Sequence, residues 1–187
     1  MNADHMAGLR LSIIEGGREL SEAKIIEPGE GNLSARIDHV SFIVTPSGAD
    51  NGCLAVADLV EVEISGPQVP ERASTEVGIH RAIYARFPHV HAVVHAHPTK
   101  VLALAAEGQA PNPALLHKGG GVLDRVFWID DFPPGSRSLS QEVARGITRA
   151  PALVLAGHGA VTIGASVEQA VLRMIRLERL ALLTRGG

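Results

Sequence analysis

Of the nine histidines in this 187-residue chain, three lie in His91-Ala-Val-Val-His95-Ala-His97-Pro98, two of them only two positions apart. Ala92 to Val94 is a short apolar run with two β-branched valines, bounded by charged or turn residues, which predicts a buried strand. Side chains alternate along a strand, so His95 and His97 project from one face. Neutral imidazole nitrogen is a common zinc ligand, and His-x-His offers two corners of a tetrahedron from one rigid element. Taken alone, the pair has a second reading, in which the rings only satisfy local polar contacts. Two ligands do not close a site.

The rest of the chain offers others. His158 stands in Gly157-His158-Gly159, where flanking glycines permit unusual backbone angles and leave the ring unobstructed. A turn that needs its glycines and not its histidine is the plainer account, but beside His95 and His97 a third ligand is the stronger one. Glu76 follows Ser74-Thr75 at the start of a predicted helix, and is the best oxygen ligand or base. A carboxylate there also suits the helix dipole, which would explain it without chemistry. Three histidines and one displaceable carboxylate describe a catalytic site, because substrate can take the open position. His80, one turn beyond Glu76 on the same helix face, could compete as a ligand, but a partner of that carboxylate is the milder inference. His89 and His91 flank an exposed approach to the strand after Pro88, while His5, His39 and His117 have no comparable context by spacing.

A second group of residues carries no charge. Gly31-Asn32, Ser47-Gly48 and Ser74-Thr75 each place backbone amides beside a small polar side chain at a turn or helix start. Such groups hold phosphate oxygens, although each is individually more common as a cap or turn.

The elements that must position these residues follow from periodicity. A helix is predicted from Leu9 to Ile26, with Gly16-Gly17 as a point of interruption. Asn32–Ile37 and Ser41–Val44 form an antiparallel hairpin, and Leu59–Ile64 alternates as a further strand between Leu54 and Ile64. A helix capped by Ser74 or Thr75 runs to about Phe87, and Pro98 opens another over Thr99 to Glu107, ending at Gly108. A strand at Arg125–Ile129 precedes a capping box, Ser138-Leu-Ser-Gln141, and its helix to about Thr148. The hairpin Ala152–Ile163 and a second capping box, Ser166-Val-Glu-Gln169, lead to a last helix reaching about Thr184. Interleaved strands and helices with two hairpins predict a three-layer α/β/α domain around a mixed, mainly antiparallel sheet, spanning 1–187 as one unit.

Composition excludes several function classes. With 45% hydrophobic and 20% charged residues the chain has a soluble globular composition. A net charge of −3 and 3% aromatic residues argue against nucleic acid or an anionic membrane as partner. Cys53 is the only cysteine, which fits a reducing cytoplasm and a small packing residue better than a disulfide. No signal-peptide pattern opens the sequence, and no apolar run approaches the roughly 20 residues needed to span a bilayer.

Together, Gly31-Asn32-Leu33-Ser34, Thr45-Pro46-Ser47-Gly48, Ser74-Thr75-Glu76, Ala92-Val-Val-His95-Ala-His97-Pro98 and Gly157-His158-Gly159 resemble the class II aldolase/adducin-head family, typified by fuculose-phosphate aldolase. The resemblance runs from about residue 10 to residue 182. It implies zinc, or manganese or cobalt in its place, bound by His95, His97 and His158, with Glu76 as displaceable ligand and acid/base. It implies a substrate phosphate held by Asn32, Ser47, Gly48, Ser74 and Thr75, a four-fold tetramer, and aldol cleavage of a phosphorylated ketose to dihydroxyacetone phosphate and an aldehyde. Fuculose-phosphate aldolases also carry a tyrosine acid where this chain reads Pro113-Ala-Leu-Leu-His117-Lys118, so His117 is the stand-in. Decarboxylation of a sugar-acid phosphate is an alternative on the same metal. Epimerization is another, though epimerases of the family tend to carry aspartate at the position of Glu76. An adducin-like binding domain would keep the fold and lose the metal, but unneeded histidine ligands would be costly to keep buried.

Overall fold

The computed structural model describes residues 3–115 and 123–185. Its strands are β1 (Asn32–Arg36), β2 (Ser41–Val44), β3 (Val60–Glu63), β4 (Ala92–Ala96), β5 (Val126–Ile129), β6 (Ala152–Leu155) and β7 (Gly159–Gly164). They form one sheet in the order β3-β2-β1-β4-β7-β6-β5. Among the described residues β5–β6 is parallel and every other pair is antiparallel, as the hairpins predict.

Helices cover both faces. α1 (Ala3–Glu22), α3 (Thr99–Ala106) and α5 (Val167–Arg185) pack with Leu33, Val94 and Val154 on one side. α2 (Val77–Arg86) and α4 (Arg137–Gly146) pack with Phe42, Val93, Leu153 and Val161 on the other. Side chains on β4 alternate between the two cores because successive residues point to opposite faces. Each fully buried aliphatic or aromatic side chain contributes roughly 1.5–3 kcal/mol. The result is the three-layer α/β/α fold. No helix among the described residues is long and apolar enough to cross a membrane.

Several local expectations need correction. α1 continues unbroken through Gly16 and Gly17 and stops at Glu22, not Ile26. A Cβ on Gly16 would lie 2.9 Å from Val167 Cγ1, and one on Gly17 only 2.2 Å from the Asn51 carbonyl oxygen. The pair therefore serves close packing, not a break. α4 is capped by Ser136, whose Oγ accepts from the Leu139 amide at 3.1 Å, two residues before the expected Ser138. Ser166 does accept from the Gln169 amide, but Gln169 reaches back to the Ala165 amide. At α2 neither Ser74 nor Thr75 is the cap; Glu76 occupies that position. Cys53 is exposed, not a buried packing residue.

The register gathers the chemistry at one end of the sheet. Asn32 at the start of β1 pairs with His95 near the end of β4, and His95 pairs with Val161 of β7. An isolated bridge between Pro46 and Ala73 brings the loop after β2 beside the segment before α2.

Candidate metal centre

His95 and His97 stand at the end of β4, His158 in the turn between β6 and β7, and Glu76 at the start of α2. One donor atom from each lies within 4.8 Å of the others. Glu76 Oε2 is 2.7 Å from His95 Nε2, and Oε1 is 3.0 Å from His158 Nε2. His95 Nε2 and His97 Nε2 are 3.1 Å apart. Four residues from three separate parts of the chain therefore aim at one point.

The donor chemistry fits a divalent metal ion. His95 Nδ1 lies 2.9 Å from the Ala160 carbonyl oxygen, which only accepts, so the ring hydrogen sits on Nδ1. Nε2 then turns a lone pair towards both the Glu76 carboxylate and His97. A cation is the natural partner of all three. His158 Nδ1 is buried with no hydrogen-bond partner, and buried Glu76 Oε1 has only the His158 Nε2 contact at 3.0 Å, which leaves lone pairs for a cation.

Electrostatics agree. Burial pushes the Glu76 carboxyl up, and proton-bearing nitrogens of His158 and His95, the place a cation would take, hold it well below the usual carboxylate range. It is an anion. Burial pushes His97 down, and the neighbouring His95 and His158 add to that, which favours the neutral ring a metal needs. Glu30 Oε2 stands 3.7 Å from the other nitrogen of His97, and both groups are partly exposed.

Glycines let the loops approach. A Cβ on Gly159 would lie 2.4 Å from the Ala96 carbonyl oxygen and 2.8 Å from His97 Cδ2. Gly157 has φ +66°, a conformation side chains other than glycine rarely adopt. The two glycines and His158 work as one turn.

Beside the donors opens a cleft of about 410 Å³, with Thr75, Glu76, His97, Gly135 and His158 among its walls. Asn32, Ser47-Gly48 and Ser74-Thr75 lie at the same end of the sheet. The Ser47 amide is not available to a ligand, because it donates to the Arg72 carbonyl at 2.9 Å. Ser74 Oγ accepts from the Glu76 amide at 3.3 Å and keeps its own hydrogen to donate.

His80 differs from expectation. Its ring nitrogens hydrogen-bond elsewhere than to Glu76: Nε2 meets Asn32 Oδ1 and Nδ1 meets Ser34 Oγ, each at 2.6 Å. Ser34 Oγ is in turn 2.8 Å from the Tyr84 hydroxyl. His89 and His91 are exposed as expected. His117 lies outside the described residues. The Ala160 carbonyl and Gly135 were beyond sequence reasoning, although Pro133-Pro134-Gly135 is a clear turn signal.

Residues 12–184 match the family described as Class II Aldolase and Adducin N-terminal domain. The chain belongs to this family. Among family relatives, 3-oxo-tetronate 4-phosphate decarboxylase of Haemophilus influenzae is 31% identical, over 90% of this chain and 83% of that one. Methylthioribulose-1-phosphate dehydratase of Microcystis aeruginosa is 29% identical, over 87% of this chain and 88% of that one. The crystal structure of L-fuculose-1-phosphate aldolase from Thermus thermophilus superposes with a TM-score of 0.87 at 31% identity, covering 96% of this chain and 94% of that one. These class II aldolase relatives are enzymes named for three different reactions, and the Glu76–His95–His97–His158 cluster could hold the divalent metal that the family uses.

Proposed function

We propose that the chain is a metal-dependent carbon–carbon lyase, an aldolase that cleaves a phosphorylated ketose to dihydroxyacetone phosphate and an aldehyde. The observation that carries this reading is the convergence of Glu76 with His95, His97 and His158 beside an open cleft. Three imidazoles and a carboxylate are a donor set suited to zinc, with manganese or cobalt able to replace it. When bound, the ion supplies Lewis acidity to substrate oxygens, where negative charge builds as the carbon–carbon bond breaks.

The chain's own residues do the rest. Asn32, Ser47, Gly48, Ser74 and Thr75 hold the phosphate through amides and hydroxyls and so fix the sugar's register against the donors. Bond cleavage leaves its electron pair on the carbon beside the carbonyl. Glu76, an anion at rest, takes a proton from solvent once released from its histidine contacts and delivers it to that carbon through a carboxylate oxygen. The hydroxyl on the departing carbon gives up its proton as the aldehyde forms, and His117 is the residue assigned to take it.

Tyr84 supports a second reading. It is the only tyrosine of the chain, it is buried, and its hydroxyl is tied to Ser34, so it cannot reach a substrate hydroxyl. Decarboxylation of a sugar-acid phosphate releases carbon dioxide with no hydroxyl proton to remove, and needs no such group.

The test is incubation of the zinc-loaded protein with a panel of ketose 1-phosphates and 3-oxo-acid phosphates, followed by product analysis. Dihydroxyacetone phosphate with an aldehyde supports the aldolase. Carbon dioxide alone moves the assignment to the decarboxylase. A protein that binds no metal and turns over neither class is an adducin-like binding domain, and both enzymatic readings fail.

A further inference from the structure

Tyr84, Ser34, His80 and Asn32 form a buried chain of polar side chains, each no more than 4% exposed, that reaches from the middle of the sheet to its functional end. Its hydrogen-bond direction can be worked out from a fixed acceptor, Asn32 Oδ1, which lies 2.6 Å from His80 Nε2. An amide oxygen only accepts, so neutral His80 carries its hydrogen on Nε2 and leaves Nδ1 bare. Ser34 gives its one hydrogen to His80 Nδ1 at 2.6 Å. Ser34 Oγ then accepts the hydrogen of the Tyr84 hydroxyl at 2.8 Å.

The consequence falls on the other branch of the Asn32 amide. With Oδ1 held by His80, the Nδ2 hydrogens point away from the relay. Turning the amide over would set two N–H donors against each other at hydrogen-bond distance, among side chains that are all buried. Asn32 sits opposite His95 in the β1–β4 register. Thr45, which leads into Ser47-Gly48, is tied to the next residue, Leu33, through both its amide and its hydroxyl.

We propose that His80, backed by Ser34 and Tyr84, is a positioning residue that locks the Asn32 amide so that it offers only N–H donors to the anionic group of the substrate. This rests on the reading of Asn32 as a phosphate contact. It makes selectivity for an anion at this point a property of the buried relay as well as of the loop amides. Neither the sequence spacing nor the metal cluster calls for His80 in that role.

The experiment titrates inorganic phosphate into the zinc-loaded full-length chain by calorimetry, for wild type, His80→Gln, Asn32→Ala and the double variant. His80→Gln and Asn32→Ala are each expected to weaken phosphate about tenfold, and the double variant no more than Asn32→Ala alone, because coupled residues are not additive. Zinc content is expected to be unchanged throughout. Ser34→Ala, which removes one hydroxyl from the same chain, gives a smaller loss of the same kind and replaces His80→Gln if that variant does not fold. Phosphate affinity unchanged in these relay variants overturns the proposal. So does a further tenfold loss from His80→Gln on top of Asn32→Ala, which marks a merely structural role. Failure of the wild type to bind phosphate overturns the phosphate reading itself, and the role of His80 with it.

Discussion

His95 Nδ1 donates to the Ala160 carbonyl across the β4–β7 pair, at 2.9 Å. Strand pairing thereby chooses the tautomer of a side chain. The ring cannot turn without losing this bond, and Nε2 stays bare and aimed at Glu76 and His97. His95 is fully buried, so the choice is not open to solvent exchange.

Replacing His95 by alanine removes a donor that no neighbour can replace. Zinc affinity is expected to fall by at least the 10–100-fold that loss of a mere supporting contact typically costs. Competition against a chromogenic chelator measures it. Stoichiometric zinc in His95→Ala, at wild-type affinity, would show that the cluster is not the binding site.

Glu76→Gln tests chemistry apart from binding. Glutamine keeps the size of the side chain and one oxygen, so zinc is expected to remain bound through the three histidines. Its amide cannot carry the proton, and turnover is expected to fall by about 100-fold or more. An undiminished rate sinks the proton-transfer role.

How much of this can be read in advance depends on the range of the signal. The β4 histidines are legible because alternation over five residues is a local pattern, and the Gly-His-Gly turn is legible because the glycines flag it. The His80 relay is not, since its partners Ser34 and Asn32 are 46 and 48 positions away and meet it only after β1 and α2 have packed. The same distance defeats the reading of Gly16 and Gly17. Their reason lies in Val167 and Asn51, which no helical periodicity around them encodes. Ser138 misleads as a cap because Ser136, two residues earlier, stands in extended backbone with its hydroxyl placed to meet the Leu139 amide.

The two glycines around His158 should behave differently. Gly159→Ala puts a methyl against the Ala96 carbonyl and the His97 ring, and overpacking of this kind costs roughly 1–3 kcal/mol. Because the His97 ring is what must yield, weaker zinc binding is expected with it. Gly157→Ala meets nothing closer than Asp131 Oδ1 at 3.7 Å, and suffers only the strain of its positive φ, about 1–2 kcal/mol. Thermal unfolding and zinc titration of both variants should separate them: stability loss in both, loss of zinc affinity in Gly159→Ala alone. Equal zinc affinities would refute the close-approach argument.

At Gly17 two effects of opposite sign compete. Alanine is favoured over glycine inside a helix by about 1 kcal/mol. Here its Cβ would lie 2.2 Å from a backbone carbonyl oxygen of Asn51, a group that cannot rotate away. The overpacking cost of roughly 1–3 kcal/mol exceeds the propensity gain, so Gly17→Ala is expected to lower the unfolding midpoint. Gly8, where an added Cβ would meet open space, isolates the propensity term, and Gly8→Ala is expected to raise the midpoint. Matching shifts of the same sign would mean that α1 does not pack against Asn51 as closely as described.

His80 gives stability a specific pH dependence. Burial pushes its pKa down to about 3 in the folded chain, against an ordinary value of 6.5. Between these two values the unfolded chain binds a proton that the native chain refuses. Stability from His80 is therefore fully present above pH 6.5 and is lost as pH falls towards 3, at up to about 1.4 kcal/mol per pH unit. Urea unfolding of the metal-free protein between pH 4.5 and pH 7 measures the slope, and metal-free His80→Gln provides the reference. Glutamine does not titrate, so the variant is expected to be less stable at pH 7 yet to show a slope shallower by about one proton. Parallel pH profiles for the two proteins would mean that His80 is not held neutral by the fold, and the direction assigned to the Tyr84–Ser34–His80–Asn32 chain would fall with it.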